Sequence, residues 1–164
     1  KAGSIMLKNL FRKNKDISFV APMSGRIIPI TEIPDPVFSS RTVGDGFGIE
    51  PNSGRVVSPV DGVVIMIFET KHAIGIRAAN GLEILIHFGL DTVNLKGEGF
   101  RVLVNKDQKV RKGQDILFVD IEKIKNKAVS LISPVVITNL KGKKIKLLKC
   151  GEVRIGEANI IRII

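Results

Sequence analysis

Turn-forming residues punctuate this chain roughly every eight to twelve positions from residue 17 onward, and short β-branched runs fill the intervals. The runs fall at 17–20, 26–30, 62–68, 73–77, 82–88, 116–120, 134–138 and 145–149, with 152–155 and 159–164 closing the chain. Strands this short and this regularly interrupted pair with neighbours through tight turns, which is the signature of an antiparallel sandwich or barrel. Only 121–129 has apolar spacing suited to a helix, with a short helical turn near 36–40. The sequence therefore predicts an all-β fold, an antiparallel β-sandwich or barrel-sandwich with short helical segments. A chain of 164 residues, 44% hydrophobic, can bury one sizeable core. With neither Trp nor Tyr present, that core must be built from Ile, Val and Leu, with Phe the only aromatic.

Residues 1–5 precede the first methionine, Met6, and read as a cloning scar. Residues 6–13 space Met6, Leu7, Leu10 and Phe11 at helical intervals between basic residues, a pattern suited to contact with an anionic membrane surface. The expected organisation is thus a scar plus basic tail over 1–16 and a single β-sandwich domain over 17–164. The formal charge is +10, but the cations are scattered, and no aromatic residues interleave with them as base stacking requires. No nucleic acid partner is expected. Cys150 is the only cysteine, so no internal disulfide can form, which suits a reducing cytosol. Its flanks, Leu147-Leu148-Lys149 and Gly151, predict a buried or strand-edge thiol. No apolar run is long enough to span a bilayer, and no secretory signal is seen, so a cytoplasmic location is expected.

The chemistry concentrates at Gly81 to Val93, where His87 ends an apolar run and Gly89, Asp91 and Thr92 follow. The only other histidine, His72, lies on the preceding run. Asn80-Gly81 between two apolar runs predicts a two-residue hairpin turn. Facing pairs would then be Ile76 with Leu85, Ile74 with His87, His72 with Gly89 and Thr70 with Asp91. Period-two alternation places Thr70, His72, Ile74, Ile76, Leu85, His87 and Asp91 on one face, with the two histidines as diagonal neighbours. A one-residue slip would separate them. Isolated imidazoles on a sheet often only pack; these two are expected to act together, beside a hydroxyl and a carboxylate.

Two histidines and at best Asp91 fall short of a zinc site, and neither HExxH nor a cysteine cluster exists. No G-x-S-x-G elbow is present for a serine hydrolase. A neutral imidazole can itself be the nucleophile. Attacking phosphorus, it would form a phosphohistidine, while the second imidazole donates a hydrogen bond to the phosphoryl oxygens. No cofactor is required.

The run Gly81-x-x-Ile84-Leu85-Ile86-His87-Phe88-Gly89-Leu90-Asp91-Thr92-Val93 resembles the active-site signature of the glucose-family enzyme IIA domain of the bacterial phosphoenolpyruvate-dependent sugar phosphotransferase system. So do Ala21-Pro22-x-Ser24-Gly25, Pro34-Asp35-Pro36-Val37-Phe38, Val43-Gly44-Asp45-Gly46-Phe47, Phe68-Glu69-Thr70-Lys71-His72-Ala73, Leu95-Lys96-Gly97-Glu98-Gly99-Phe100 and Gly151-Glu152-Val153. The likeness runs in order over roughly 17–164. It implies that His87 is phosphorylated by the phosphocarrier HPr and passes the group to a cysteine of the IIB domain of a sugar permease. It implies that His72 supports the phosphoryl group and Thr70 orients His72. Asp35 and Asp91 match the acidic pair flanking the site, and Val37, Phe38, Val43, Phe68 and Val93 match its apolar docking rim. No direct sugar binding is implied. Lys71 and Thr42 depart from the usual text of the family, and the basic balance bears on which regulatory partners would fit.

A rival reading compares Val104 to Leu117 with the entry strand of lipoyl or biotinyl carrier domains, with Lys123 as the modified residue. Lys123 sits in Ile121-Glu122-Lys123-Ile124, text that predicts a helix where a carrier needs an exposed tight turn. Similar Val-x-x-Gly-Gln text occurs in lysostaphin-type zinc peptidases, whose His-x-His pair is missing here. Such strand text is shared by architecture without shared function.

Overall fold

The computed structural model describes residues 17–164, so residues 1–16, where a scar and a basic tail are expected, lie outside the described residues. Within them the short apolar runs pair into three antiparallel sheets. The largest has eight strands, in spatial order β12 (Gly151–Val153), β1 (Gly25–Pro29), β2 (Asp45–Pro51), β10 (Ser133–Ile137), β6 (Glu83–His87), β5 (Ala73–Ala78), β4 (Gly62–Ile67) and β8 (Lys109–Val110). A three-stranded sheet joins β3 (Arg55–Val57), β9 (Asp115–Val119) and β7 (Phe100–Val102), and a ribbon pairs β11 (Ile145–Leu147) with β13 (Ile161–Ile163). Among the described residues, no helix is long and apolar enough to cross a membrane.

Period-two alternation on the large sheet feeds two apolar clusters. Ile74, Ile76, Ile84, Ile86, Phe47 and Ile49 enter the main core with residues of the smaller sheets. Ala73, Leu85, Val136 and Ile28 belong to a second cluster, closed by Ile30, Ile33, Phe38 and Leu90. The second cluster is the floor of the histidine site.

The all-β expectation holds, and most anticipated runs are strands within a residue or two. Residues 17–20 are the exception, contributing only an isolated bridge between Val20 and Ala158. The helix expected over 121–129 stops after Ile121–Ile124, with Asp120 accepting from the Lys123 amide at its start. A one-turn helix spans Pro36–Ser39. Strand β2 is central yet unanticipated, because Gly46, Gly48 and Pro51 read as turn residues. Gly46 is there for close approach: a Cβ would lie 1.9 Å from the Val135 carbonyl oxygen. Cys150 is exposed between β11 and β12, neither buried nor within a strand.

The β5–β6 hairpin corrects the expected register. Facing pairs are Ala73 with His87, Ile74 with Ile86, Ile76 with Ile84 and Arg77 with Glu83, one residue away from the two-residue-turn reading. The turn contains Ala79, Asn80 and Gly81, with the Ala78 amide bonded to the Leu82 carbonyl at 2.8 Å and the Gly81 amide to the Ala78 carbonyl at 2.9 Å. A two-residue Asn-Gly turn needs positive φ at both residues. Here Gly81 alone takes it, at +91°, as in a type I turn closed by a glycine bulge. Ile74 and Ile76 therefore face the main core, opposite Leu85 and His87.

Candidate functional site

With that register, simple alternation would send His72 and His87 to opposite faces. They meet because His72 is not on the pleat. It precedes β5, after Lys71, whose φ of +63° swings the chain out of the extended region. The Phe68 amide bonds to the Ala73 carbonyl at 3.0 Å, and the Phe88 amide to the His72 carbonyl at 2.7 Å. These bonds hold the turn against the sheet end, the second of them extending the β5–β6 register by one pair. The two rings lie edge to face, centroids 4.6 Å apart and planes at 81°. The pair predicted from the sequence thus exists, by a different geometry.

His87 is half-buried at the end of β6. Its Nδ1 lies 2.8 Å from the Gly89 carbonyl oxygen. A carbonyl can only accept, so Nδ1 carries the proton and Nε2 keeps its lone pair. The Gly89 loop is itself anchored. The Gly89 amide donates to Ser133 Oγ at 3.1 Å, Ser133 Oγ donates to the Leu131 carbonyl at 2.9 Å, and Thr92 Oγ1 donates to the Phe88 carbonyl at 2.6 Å. Ser133 and Thr92 are fully buried. These two hydroxyls position His87; the sequence singles out Thr92 by its place after Asp91 but not its bond to Phe88, and it does not single out Ser133. The signal at Ser133 is faint, a polar residue before Pro134 whose partners are known only from the fold.

His72 is 1% exposed, with Nδ1 2.8 Å from Thr70 Oγ1. Phe68 meets His72 edge-on at 5.3 Å, and the Phe38 ring lies 5.1 Å from that of His87. Burial lowers the His72 pKa to about 4, reinforced by the neighbouring His87 and partly opposed by hydrogen bonding at Thr70. Burial also lowers His87, while the Gly89 carbonyl and the charges of Asp35 and Asp91 pull it back up. Both imidazoles are therefore neutral near pH 7, the state a nucleophile requires.

The remaining expected site residues fall around this pair in different ways. Asp35 caps the helix Pro36–Ser39, accepting from the Val37 amide at 3.0 Å. Asp91 is exposed, with φ of +56°, at the head of the 3₁₀ turn Thr92–Leu95. Val37 and Val93 are exposed large apolar side chains, while Val43 and Phe68 are partly buried against the second cluster. Phe38 is buried within that cluster and lies against the imidazole. Lys71 is exposed beside His72, close to where a Cβ on Gly97 would sit. Among the described residues, no three His, Cys, Asp or Glu side chains gather as a metal centre would require.

Two neutral imidazoles, one with an oriented lone pair and with the charges of Asp35 and Asp91 near enough to act on it, can accept and release an electrophilic group. Known proteins share this sequence and fold. The family model described as "phosphoenolpyruvate-dependent sugar phosphotransferase system, EIIA 1" matches residues 17–142. The chain is 47% identical to the PTS system glucose-specific EIIA component of Oceanobacillus iheyensis, over 97% of this chain and 99% of that protein. It is 48% identical to the PTS system glucose-specific EIICBA component of Staphylococcus carnosus, over 86% of this chain but only 21% of that longer protein. Among solved structures, the glucose permease IIA of Mycoplasma capricolum superposes with a TM-score of 0.85 at 43% identity, covering 90% of this chain and 96% of its own. The chain belongs to the EIIA 1 family of the phosphoenolpyruvate-dependent sugar phosphotransferase system.

Proposed function

We propose that the unit spanning 17–164 is a phosphoryl carrier of sugar uptake, and that His87 Nε2 is the atom phosphorylated. The observation that carries this is the hydrogen bond from His87 Nδ1 to the Gly89 carbonyl, which fixes the tautomer with its lone pair on Nε2. In the first transfer, Nε2 attacks the phosphorus of phospho-HPr. The new N–P bond forms as the donor's N–P bond breaks, and the electron pair returns to the donor imidazole. In the second, a cysteine thiolate of a IIB domain attacks the same phosphorus, forming a S–P bond and restoring neutral His87.

His72 supports the phosphoryl group. Thr70 Oγ1 lies 2.8 Å from His72 Nδ1, and we infer that the hydroxyl donates there, which leaves the His72 proton on Nε2 to bond a phosphoryl oxygen. Asp35 and Asp91 flank the transfer, and Val37, Val43, Phe68 and Val93 form the rim on which HPr and the IIB domain dock in turn. Phe38 backs His87 from beneath. An exposed apolar patch is what a transient protein partner needs, and once covered it excludes water from a labile phosphohistidine. The location is cytoplasmic, where both partners are found, and the basic tail over 1–16 assists at the membrane surface. Nothing in the site binds the sugar itself.

Incubation with phosphoenolpyruvate, enzyme I and HPr tests the reading. One acid-labile phosphate per chain is expected, absent in His87→Gln. His72→Gln should accept the label but fail to pass it to a IIB domain. Labelling of the His87 variant, or an acid-stable label on a hydroxyl, would overturn the mechanism; an intact mass carrying a lipoyl or biotinyl adduct would restore the rival carrier reading.

A further inference from the structure

The ribbon of β11 and β13 carries charge that nothing in the described fold answers. Its inner residues Ile145, Leu147, Ile161 and Ile163 pack on the main core. Alternation then sends Lys146 and Arg162 outward, and the two are paired directly across the strands. Like charges placed directly opposite destabilise a sheet. Lys144 pairs with Ile164 through two backbone bonds of 2.7 and 2.8 Å and continues the same outward row. Lys141 and Lys143 stand exposed on the adjoining turn. Among the described residues, none of these five cations forms an ion pair, whereas the nearby Lys149 is tied to Glu157.

Apolar side chains interleave with the charge. Leu148 is 41% exposed and Ile164 is 64% exposed. Leu148 and Arg162 also line a groove with Ile17, so the chain enters the described fold beside this ribbon. The ribbon packs on the main core, whereas His87 rests on the second cluster across the large sheet. Both strands of the ribbon lie outside residues 17–142, which the family model matches, although Lys141 of the adjoining turn falls within them.

We propose that the outer face of this ribbon adsorbs to an anionic lipid bilayer. Five unpaired cations supply attraction to acidic headgroups, and Leu148 and Ile164 supply apolar contacts at the headgroup boundary. A nucleic acid is the poorer fit, because the ribbon carries no aromatic side chain on which bases could stack. Adsorbed this way, the carrier keeps its histidines turned from the lipid and available to its partners.

The test is sedimentation of the full chain with phosphatidylcholine vesicles, with and without phosphatidylglycerol, at low and high salt. Binding is expected only with the anionic lipid and is weakened by salt. Lys146→Glu should weaken it about tenfold or more, since two units of charge leave the patch. The same substitution places a carboxylate opposite Arg162, so the melting temperature should hold or rise, and phosphorylation by HPr should be unchanged. Lys8→Glu serves as the control for the tail, and adding Lys146→Glu to it should cause a further loss. Unaltered vesicle binding by Lys146→Glu would overturn the proposal. So would equal affinity for polyuridylic acid, lost in the same variant, which would assign the patch to nucleic acid.

Discussion

Gly89 is the residue whose replacement most sharply tests how the site is built. Its φ of +75° lies in the left-handed region, and the space a Cβ would need is already filled: that position is 2.5 Å from Thr92 Cγ2 and 2.9 Å from the Ser130 carbonyl oxygen. Gly89→Ala therefore has two costs. The left-handed backbone costs an L-residue about 1–2 kcal/mol. The overlap adds roughly 1–3 kcal/mol, because a main-chain oxygen and a buried β-branched side chain have little room to yield. Gly81→Ala isolates the first cost, since Gly81 has φ of +91° but no heavy atom within 4 Å of where a Cβ would sit. Urea unfolding followed by far-UV circular dichroism suits a chain lacking Trp and Tyr. Gly89→Ala should lose about 2–5 kcal/mol and Gly81→Ala about 1–2 kcal/mol. The rate of phosphorylation should fall only in Gly89→Ala, whose altered backbone displaces the carbonyl that His87 uses. Equal losses in the two variants would refute the claim that the loop is sterically locked around His87.

Other consequences concern protons and the buried hydroxyls. The His72 pKa falls from its ordinary 6.5 to about 4 in the folded protein. A base with a depressed folded pKa binds fewer protons folded than unfolded across that interval, so its contribution is intact above pH 6.5 and is lost as the pH falls toward 4. The loss should reach about 3 kcal/mol in urea titrations, and His72→Gln should flatten the slope. Ser133→Ala strands the Gly89 amide and the Leu131 carbonyl, at a cost of about 1–3 kcal/mol. Its ¹⁵N spectrum should also show His87 losing its single fixed tautomer, and an unchanged tautomer would show that Ser133 only packs. Thr70→Ala should leave phosphorylation of His87 in place while slowing transfer to a IIB domain in single-turnover assays.

The architecture was readable because β-branched runs and turn residues are local signals. Strand β2 was not, since glycines that permit close approach to β10 look identical to glycines that permit turns. The hairpin register turned on the φ of Asn80, which no residue type dictates: Asn-Gly serves a two-residue turn or a longer bulged one. The histidine pair nevertheless came together because Lys71 breaks the pleat before His72, a backbone feature that an ideal ladder omits. The residues that carry chemistry were visible by type and spacing, whereas Ser133 and Thr92, which hold them in place, act through bonds that appear only in the fold.

The central claim is that His87 carries the phosphoryl group on Nε2. Long-range ¹H–¹⁵N correlation spectra of the protein, phosphorylated through HPr, read this atom directly. His87 Nε2 should take the phosphorylated shift while Nδ1 remains protonated against Gly89 and His72 stays unmodified. Phosphate on Nδ1, or on His72, would contradict it.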